Sequence, residues 1–92
     1  MQPLELLKYR LGITTRRRDT YLQQVLTSCE SELTKNYGVT LDIENQSDHL
    51  MFLVDFAQWR YMNTSGAMPR DLQFRLHNLL IEYQRGENHV ER

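Results

Sequence analysis

Residues 47–62, SDHLMFLVDFAQWRYM, are the most apolar stretch of the chain and decide what kind of fold it can adopt. At the helical spacing of three and four residues, the apolar side chains of this stretch fall on two stripes instead of one. The two stripes are Leu50, Leu53, Val54, Ala57 and Tyr61 on one side and Phe52, Phe56 and Trp59 on another. Only Asp48, Asp55 and Gln58 leave a narrow polar strip. We therefore expect a helix, capped by Ser47 or Asp48, that is central to the core or partly covered by a partner.

Two further helices are predicted before this stretch. The first begins at Pro3, which suits a first turn, and stops at Gly12. The second has the longest clean amphipathic pattern, with Thr14 or Thr15 as N-cap and a stop near Gly38. Its apolar stripe consists of Leu22, Val25, Leu26, Cys29 and Leu33.

A fourth helix is predicted from Pro69, with Leu72, Leu76 and Leu79 on its apolar face. Residues 39–46 alternate apolar and polar side chains, which indicates one extended segment but no sheet. Residues 86–92 show no periodicity and are expected to form a loose tail. We therefore predict an all-α fold: a four-helix domain over residues 1–85 with a long central amphipathic helix, followed by a flexible C-terminal tail over residues 86–92.

Composition limits the function classes. A chain of 92 residues with a formal net charge of -1 and an isoelectric point near 6.3 is expected to be a single domain and not a dedicated nucleic-acid binder. The longest apolar run is too short to span a bilayer, and no signal segment follows Met1, so a cytoplasmic product is expected. Cys29 is the single cysteine, which excludes an intrachain disulfide and indicates a buried thiol.

No catalytic or metal-binding pattern stands out. The three histidines, His49, His77 and His89, lie at helix edges or in the tail, where no triad can be recognised. Asp48 and His49 are adjacent in sequence, although two ligands on one helix usually stand three or four residues apart. We therefore expect neither enzymatic activity nor a cofactor.

Arg16, Arg17 and Arg18 are hard to explain by folding alone. They are placed at the start of the second predicted helix, where the helix dipole disfavours positive charge by roughly 0.3 to 1 kcal/mol per residue. One interpretation is a solvated turn neutralised by Asp19 and other acids. The other is contact with a DNA backbone or with an acidic protein surface.

The chain also carries a surplus of apolar side chains. Met51, Met62, Phe74 and Ile81 lie off the main stripes of their helices. A core that wraps the third helix could hide them, or they could form a surface for another subunit or partner. They are our candidate inter-subunit residues.

The order of these features resembles the head-tail connector (adaptor, or head completion) family of tailed bacteriophages. The resemblance covers about residues 4–83. It rests on Leu11, Gly12 and Ile13 at the end of a short helix and on Asp19 and Leu22 opening a longer one. It also rests on the run Trp59, Arg60, Tyr61, Met62 and Asn63, and on Met68 and Pro69 before the last helix.

This resemblance implies a structural virion protein at the head-tail interface, present in the host cytoplasm during assembly. Such a protein binds the portal protein after DNA packaging and forms a homo-oligomeric, dodecameric ring, while the free protein can be monomeric. The ring extends the DNA channel without sequence specificity or membrane contact, and it is the platform for a stopper or tail protein.

Two sets of contacts follow from the resemblance as expectations. Residues 39–46 are the candidate contact with the next protein along the channel. The candidate portal contacts are Tyr83, Gln84, Arg85, His89 and Val90. The alternatives are a small helix-turn-helix DNA-binding regulator, which suits four short helices and an arginine triplet, and a small helical adaptor or inhibitor.

Overall fold

The computed structural model describes the backbone of residues 2–63 and 66–90, and the side chains of these residues up to residue 83. Within this part the chain forms helices and no strand, which confirms the all-α prediction. The helices are α1 (Pro3–Leu11), α2 (Asp19–Tyr37), α3 (Ser47–Met62) and α4 (Arg70–Val90). None of them is both long and apolar enough to cross a bilayer.

The first two helices end as their glycines predict. Gly12 and Gly38 have φ values of 72° and 69°, in the left-handed region that glycine adopts without steric cost. At the end of α2, the Gly38 N–H donates to the Thr34 carbonyl at 3.1 Å and the Val39 N–H donates to the Leu33 carbonyl at 3.1 Å. These two bonds close the helix and turn the chain so that Val39 is buried.

The start of α2 differs from the prediction. Thr14 and Thr15 are not its N-cap, because the helix begins only at Asp19 and Arg18 occupies the cap position without a side-chain hydrogen bond. A turn precedes the helix, in which the Asp19 N–H donates to the Arg16 carbonyl at 3.2 Å. Because residues 16–19 form this turn, the helix begins too far along the chain for Thr14 or Thr15 to cap it.

The starts of α3 and α4 also depart slightly from expectation. Ser47 is the first helical residue of α3, and Gln46 is its N-cap without a side-chain bond, so neither Ser47 nor Asp48 is the cap. Pro69 immediately precedes α4, where its carbonyl accepts the Gln73 N–H at 3.0 Å. The α4 backbone continues past Gly86 to Val90, beyond the predicted end of the helix, because one glycine costs only about 1 kcal/mol in a helix.

The core is built around α3. Of the two alternatives given for this helix, the structure agrees with the central position. Phe52, Leu53, Val54, Phe56 and Ala57 are buried. The side chains packed around them come from the other three helices and include Leu7, Leu22, Leu26, Cys29, Leu33, Leu72, Leu76 and Leu79. Because α3 contacts α1, α2 and α4, it can be apolar on nearly every side.

Ion pairs reinforce this arrangement across helices. Asp55, in the narrow polar strip of α3, is hydrogen-bonded by Arg10 of α1 and by Arg75 of α4, the latter at 2.7 Å. Arg60 of α3 pairs with Glu32 of α2 at 2.7 Å. Asp55 therefore links α3 to α1 and α4, and Arg60 links α3 to α2.

Residues 39–46 connect α2 to α3 with the predicted alternation of burial, but residues 43–45 form a turn, so the predicted extended segment stops at Asp42. Val39 is buried and Leu41 and Ile43 are half-buried, while Asp42 is exposed. The Asp42 N–H donates to Nδ1 of His49 at 2.9 Å, which fastens this connection to α3. The segment is thus packed on one side and open to solvent on the other.

Candidate interaction surfaces

The three consecutive arginines form what we call the basic turn, Arg16, Arg17 and Arg18. All three are exposed, and they lie in the turn that precedes α2 instead of inside the helix. Placement outside the helix reduces, but does not remove, their repulsion by the positive end of the α2 dipole. The basic turn thus remains a candidate surface for a polyanion.

The acid expected to neutralise the basic turn is occupied elsewhere. Asp19 lies immediately after the three arginines, yet its carboxylate is paired with Lys8 of α1 at 2.6 Å. Arg18 instead donates to the Tyr61 hydroxyl, which carries no charge. In the described part of the chain, no carboxylate pairs with any arginine of the basic turn.

The other arginines with close partners behave differently. Arg10 and Arg75 are bound to Asp55, and Arg60 is bound to Glu32 while stacking on Trp59, 4.7 Å from the ring centre. Those three arginines therefore serve the fold. In the described part of the chain the basic turn makes no such ion pair, and its one side-chain bond runs from Arg18 to the uncharged Tyr61.

A cleft of opposite sign lies elsewhere on the body, between the start of α1 and the connection into α3. It encloses about 650 Å³ and is lined by Gln2, Pro3, Glu5, Ile43, Glu44, Asn45, Ser47 and Leu50. A further exposed acid adjoins it, since Asp42 accepts a hydrogen bond from Asn45 at 3.2 Å. We call this the acidic cleft and define its acids as Glu5, Asp42 and Glu44.

The sequence contains one signal for the acidic cleft, a stretch without basic residues, which the sequence analysis did not use. No lysine or arginine occurs between Lys35 and Arg60, whereas four acids do. Two of them, Asp42 and Glu44, belong to the acidic cleft. Asp48 lines a separate cleft between α3 and α4, and Asp55 is paired with arginines. Glu5 joins them only through the packing of α1, which sequence reasoning did not foresee.

The apolar surplus is on the surface. Met62 and Phe74 are about two-thirds exposed, at 66% and 65%, and Met51 and Ile81 are also exposed. Met51 and Met62 stand eleven residues apart on α3, roughly 16 Å along its axis. Phe74 and Ile81 lie together on the face of α4 that points away from the core. The four candidates are therefore accessible but do not form one patch.

Of the predicted portal contacts, the structure describes only the Tyr83 side chain. Tyr83 is exposed on α4. Gln84, Arg85, His89 and Val90 lie on the same helix, but their side chains are outside the described residues.

Exposed tyrosines were missed by the sequence analysis. Tyr9 of α1 is 82% exposed, and Tyr21 of α2 is also exposed beside Tyr61, with 5.9 Å between ring centres. The available signal is their position off the apolar stripes of α1 and α2. Tyr21 and Tyr61 place aromatic surface next to the basic turn.

Cys29 is not a reactive site. Its side chain is buried in the core, and this burial, only partly opposed by the Arg60 charge, raises the pKa of the thiol to about 12. The thiol is therefore protonated at neutral pH, whereas nucleophilic attack requires the thiolate. This confirms the prediction of a buried thiol.

Packing brings Asp48 and His49 close to Glu82, an arrangement that the sequence did not suggest. One potential ligand atom from each lies within 4.8 Å of the others. However, Nδ1 of His49 accepts the Asp42 N–H, so a neutral imidazole carries its proton on Nε2. Both ring nitrogens are then engaged or protonated, which does not suit a metal ligand.

The described residues thus present a basic turn, an acidic cleft and scattered exposed apolar side chains on a body whose described core contains no buried polar side chain. Such surfaces are suited to contacts with other macromolecules. Comparison of the chain with protein families, with curated proteins and with solved structures finds no match.

Proposed function

We propose that this chain is a structural virion protein, a head-tail connector that joins the portal after DNA packaging. In this role it forms a ring that extends the DNA channel and offers a platform to a stopper or tail protein. Its partners are the portal protein, other copies of itself and the next protein along the channel. The DNA passes through the ring without sequence-specific contacts.

The observation that carries this proposal is the separation of a complete apolar core from large apolar side chains left outside it. The core encloses Phe52 and Phe56 fully, yet Met62 and Phe74 remain mostly exposed. Apolar and aromatic side chains on the surface are typical of contacts between subunits. A chain of this size also buries a smaller share of its surface on folding than a larger domain does, so association can add to its stability.

The residues that carry the resemblance also have structural roles. Gly12 ends α1 in the left-handed conformation, and Ile13 packs partly against the core. Trp59 stacks on Phe56, with 5.9 Å between ring centres. Met68 packs against the core next to Pro69, directly before α4. These roles make the shared residue pattern consistent with a shared scaffold.

A helix-turn-helix regulator is less well supported. That motif joins two helices by a turn of three or four residues and uses the second helix to read the major groove. Here the connections between helices cover residues 12–18, 38–46 and 63–69. The basic turn also precedes α2 instead of lining one of its faces, so no basic recognition helix is formed by the described residues.

The test is mass photometry or sedimentation of the purified chain, alone and with portal rings from the same genome. We expect free chains to add to the portal in a ring that follows its symmetry. A stable dimer that ignores the portal and binds duplex DNA in a salt-sensitive way would overturn the proposal in favour of the regulator.

Substitutions on α4 make this test specific. Phe74→Ser and Ile81→Ser remove exposed apolar area without touching the core, so the chain should still fold but form fewer rings. Gln23→Ser, at an exposed position on α2 away from this face, is the matched control and should leave ring formation unchanged. Equal ring formation by all three variants would remove the outer face of α4 from the interface.

The contacts at the two ends of the connector are tested separately. Deletion of residues 86–92 is expected to abolish portal binding while the helical core still folds. Substitution of exposed side chains within residues 39–46 is expected to spare portal binding and to prevent addition of the next protein. Portal binding by the truncated chain would dismiss the proposed role of the C-terminal residues.

A further inference from the structure

We infer that the basic turn of one copy docks in the acidic cleft of a second copy, which makes the contact between copies head-to-tail. This inference rests on the proposed function only where it concerns closure of such contacts into a ring. The contact itself follows from the charges that the fold leaves unpaired.

The first step is that the two surfaces are distinct and opposite in sign. Arg16, Arg17 and Arg18 carry three positive charges in one turn. In the described part of the chain, the acids of the acidic cleft likewise have no lysine or arginine within ion-pair distance. The formal net charge of -1 therefore conceals two charged regions that are not neutralised by each other within one copy.

The second step is that shape suits this pairing. The basic turn lies exposed between α1 and α2, and Arg18 is oriented by its bond to Tyr61. The acidic cleft is concave, about 650 Å³ in volume, with Glu5 and Glu44 on its walls. An exposed turn and a concave cleft of opposite charge are electrostatically complementary surfaces.

The third step is that the cleft supplies apolar contact beside its charges. Ile43 and Leu50 are half-buried and line the cleft. The basic turn is flanked by Tyr21, which is exposed, and by Tyr61. Contacts of these side chains would add apolar burial to an interface that charge alone would hold only weakly in salt.

A second copy fits the basic turn better than DNA does. Three arginines release few counterions, so DNA affinity would be low, and the acidic cleft on the same body repels phosphate. In contrast, each copy offers one basic turn and one acidic cleft. A heterologous contact of this kind repeats from copy to copy and closes into a ring when the rotation permits.

Disulfide trapping tests this contact directly. An Arg17→Cys/Glu44→Cys variant is concentrated at low ionic strength with a mild oxidant and analysed by non-reducing gels and mass spectrometry. We expect a ladder of chains linked between positions 17 and 44, which fades in high salt. Cys29 does not interfere, because it is buried and protonated.

The matched control is Arg17→Cys/Lys35→Cys, which places the second thiol at an exposed position on α2. It should link no more than random collisions allow. Links between 17 and 44 that are no more frequent than 17–17, 44–44 or control links would overturn the inference.

Charge reversal gives a second readout that does not depend on thiol geometry. An Arg16→Glu/Arg17→Glu/Arg18→Glu variant and a Glu5→Lys/Asp42→Lys/Glu44→Lys variant should each lose self-association, about a hundredfold, because like charges then face each other. An equimolar mixture should restore it, since each reversed surface meets a complementary one. Failure of the mixture to associate more than either variant alone contradicts the contact.

Attraction by net charge alone is controlled by mixing the acid-reversed variant with an acidic chain that lacks both charged surfaces, Arg16→Gln/Arg17→Gln/Arg18→Gln/Asp42→Asn/Glu44→Gln/Lys35→Glu/Arg70→Glu. Association in this control mixture as strong as in the test mixture also contradicts the contact. Duplex DNA binding that depends on the arginines, without trapping, would assign the basic turn to DNA instead. If trapping fails while the wild-type chain joins the portal, only this contact is lost; trapping without portal binding leaves the contact and removes the connector function.

Discussion

The ion pairs of Asp55 give the most informative stability prediction. Asp55→Asn keeps the shape of the side chain but removes its charge. Arg10 and Arg75, which both bind this carboxylate, are then left close together without a counter-charge. The variant therefore measures how much this link contributes to holding α1 and α4 on α3.

The expected size follows from the exposure of the three side chains. A hydrogen bond to a charged group contributes about 1.5 to 3 kcal/mol when well buried, and an exposed ion pair about 0.2 to 1 kcal/mol. The Asp55 side chain is 21% exposed and Arg75 is 36% exposed, so each pair lies between these limits. We expect a loss of about 2 kcal/mol for both pairs, or a fall in Tm of about 10 °C for a domain of this size.

The assay is urea and thermal unfolding followed by circular dichroism at low ionic strength. The urea midpoint should fall with little change in the m-value, and the effect should shrink in high salt. Glu44→Gln is the control, because it removes an exposed, unpaired carboxylate and should change stability by less than about 0.5 kcal/mol. A double-mutant cycle with Arg10→Met then separates the two pairs. If Asp55→Asn is as stable as the control, the pairs do not stabilise the fold.

Three further changes probe the core, a helix end and the buried thiol. Phe56→Ala should lose about 3 to 5 kcal/mol, because Phe56 is fully buried in α3, and circular dichroism should show a largely unfolded chain. Gly38→Ala should cost about 1 to 2 kcal/mol in urea unfolding from its positive φ alone, since its Cβ would meet no atom within 4 Å, whereas Gly38→Asn should cost less. The pKa of Cys29 is about 12 in the folded chain against an ordinary value of 9.0, so its contribution to stability is complete below pH 9 and is lost as the pH rises toward 12. Stability measured over this range should fall more for wild type than for Cys29→Ala, and an equal fall would contradict the assigned pKa.

Helix number and order could be predicted from the sequence because local periodicity and glycine placement report them directly. Gly12 and Gly38 marked two helix ends correctly, and the two stripes of α3 indicated a central position. These features depend on residues a few positions apart, which sequence inspection compares well.

Helix starts and the partners of charged groups were harder to predict. Thr14 and Thr15 have good capping side chains, but the turn of the three arginines delays α2 to Asp19. Asp19 is next to Arg18 in sequence, yet Lys8 takes its carboxylate because α1 packs beside α2. Competition among possible partners is decided by tertiary packing, which one sequence does not display.

The surfaces illustrate the same limit. The exposure of Phe74 and Ile81 followed from their helical positions, since they lie opposite the apolar face of α4. The acidic cleft required Glu5 to approach Glu44, which is far away in sequence. The charge pattern of the sequence therefore indicated the basic turn but not the complete acidic cleft.

The central position of α3 has a consequence for how the chain folds during synthesis. The ribosome releases α1 and α2 first, but the aromatic side chains that cover their apolar faces, among them Phe52 and Phe56, belong to α3. The nascent N-terminal half therefore has no core of its own and stays vulnerable to aggregation until α3 emerges. Residues 3–37 alone would be a poor unit for expression, and productive folding is expected to begin only once residue 62 is free of the ribosome.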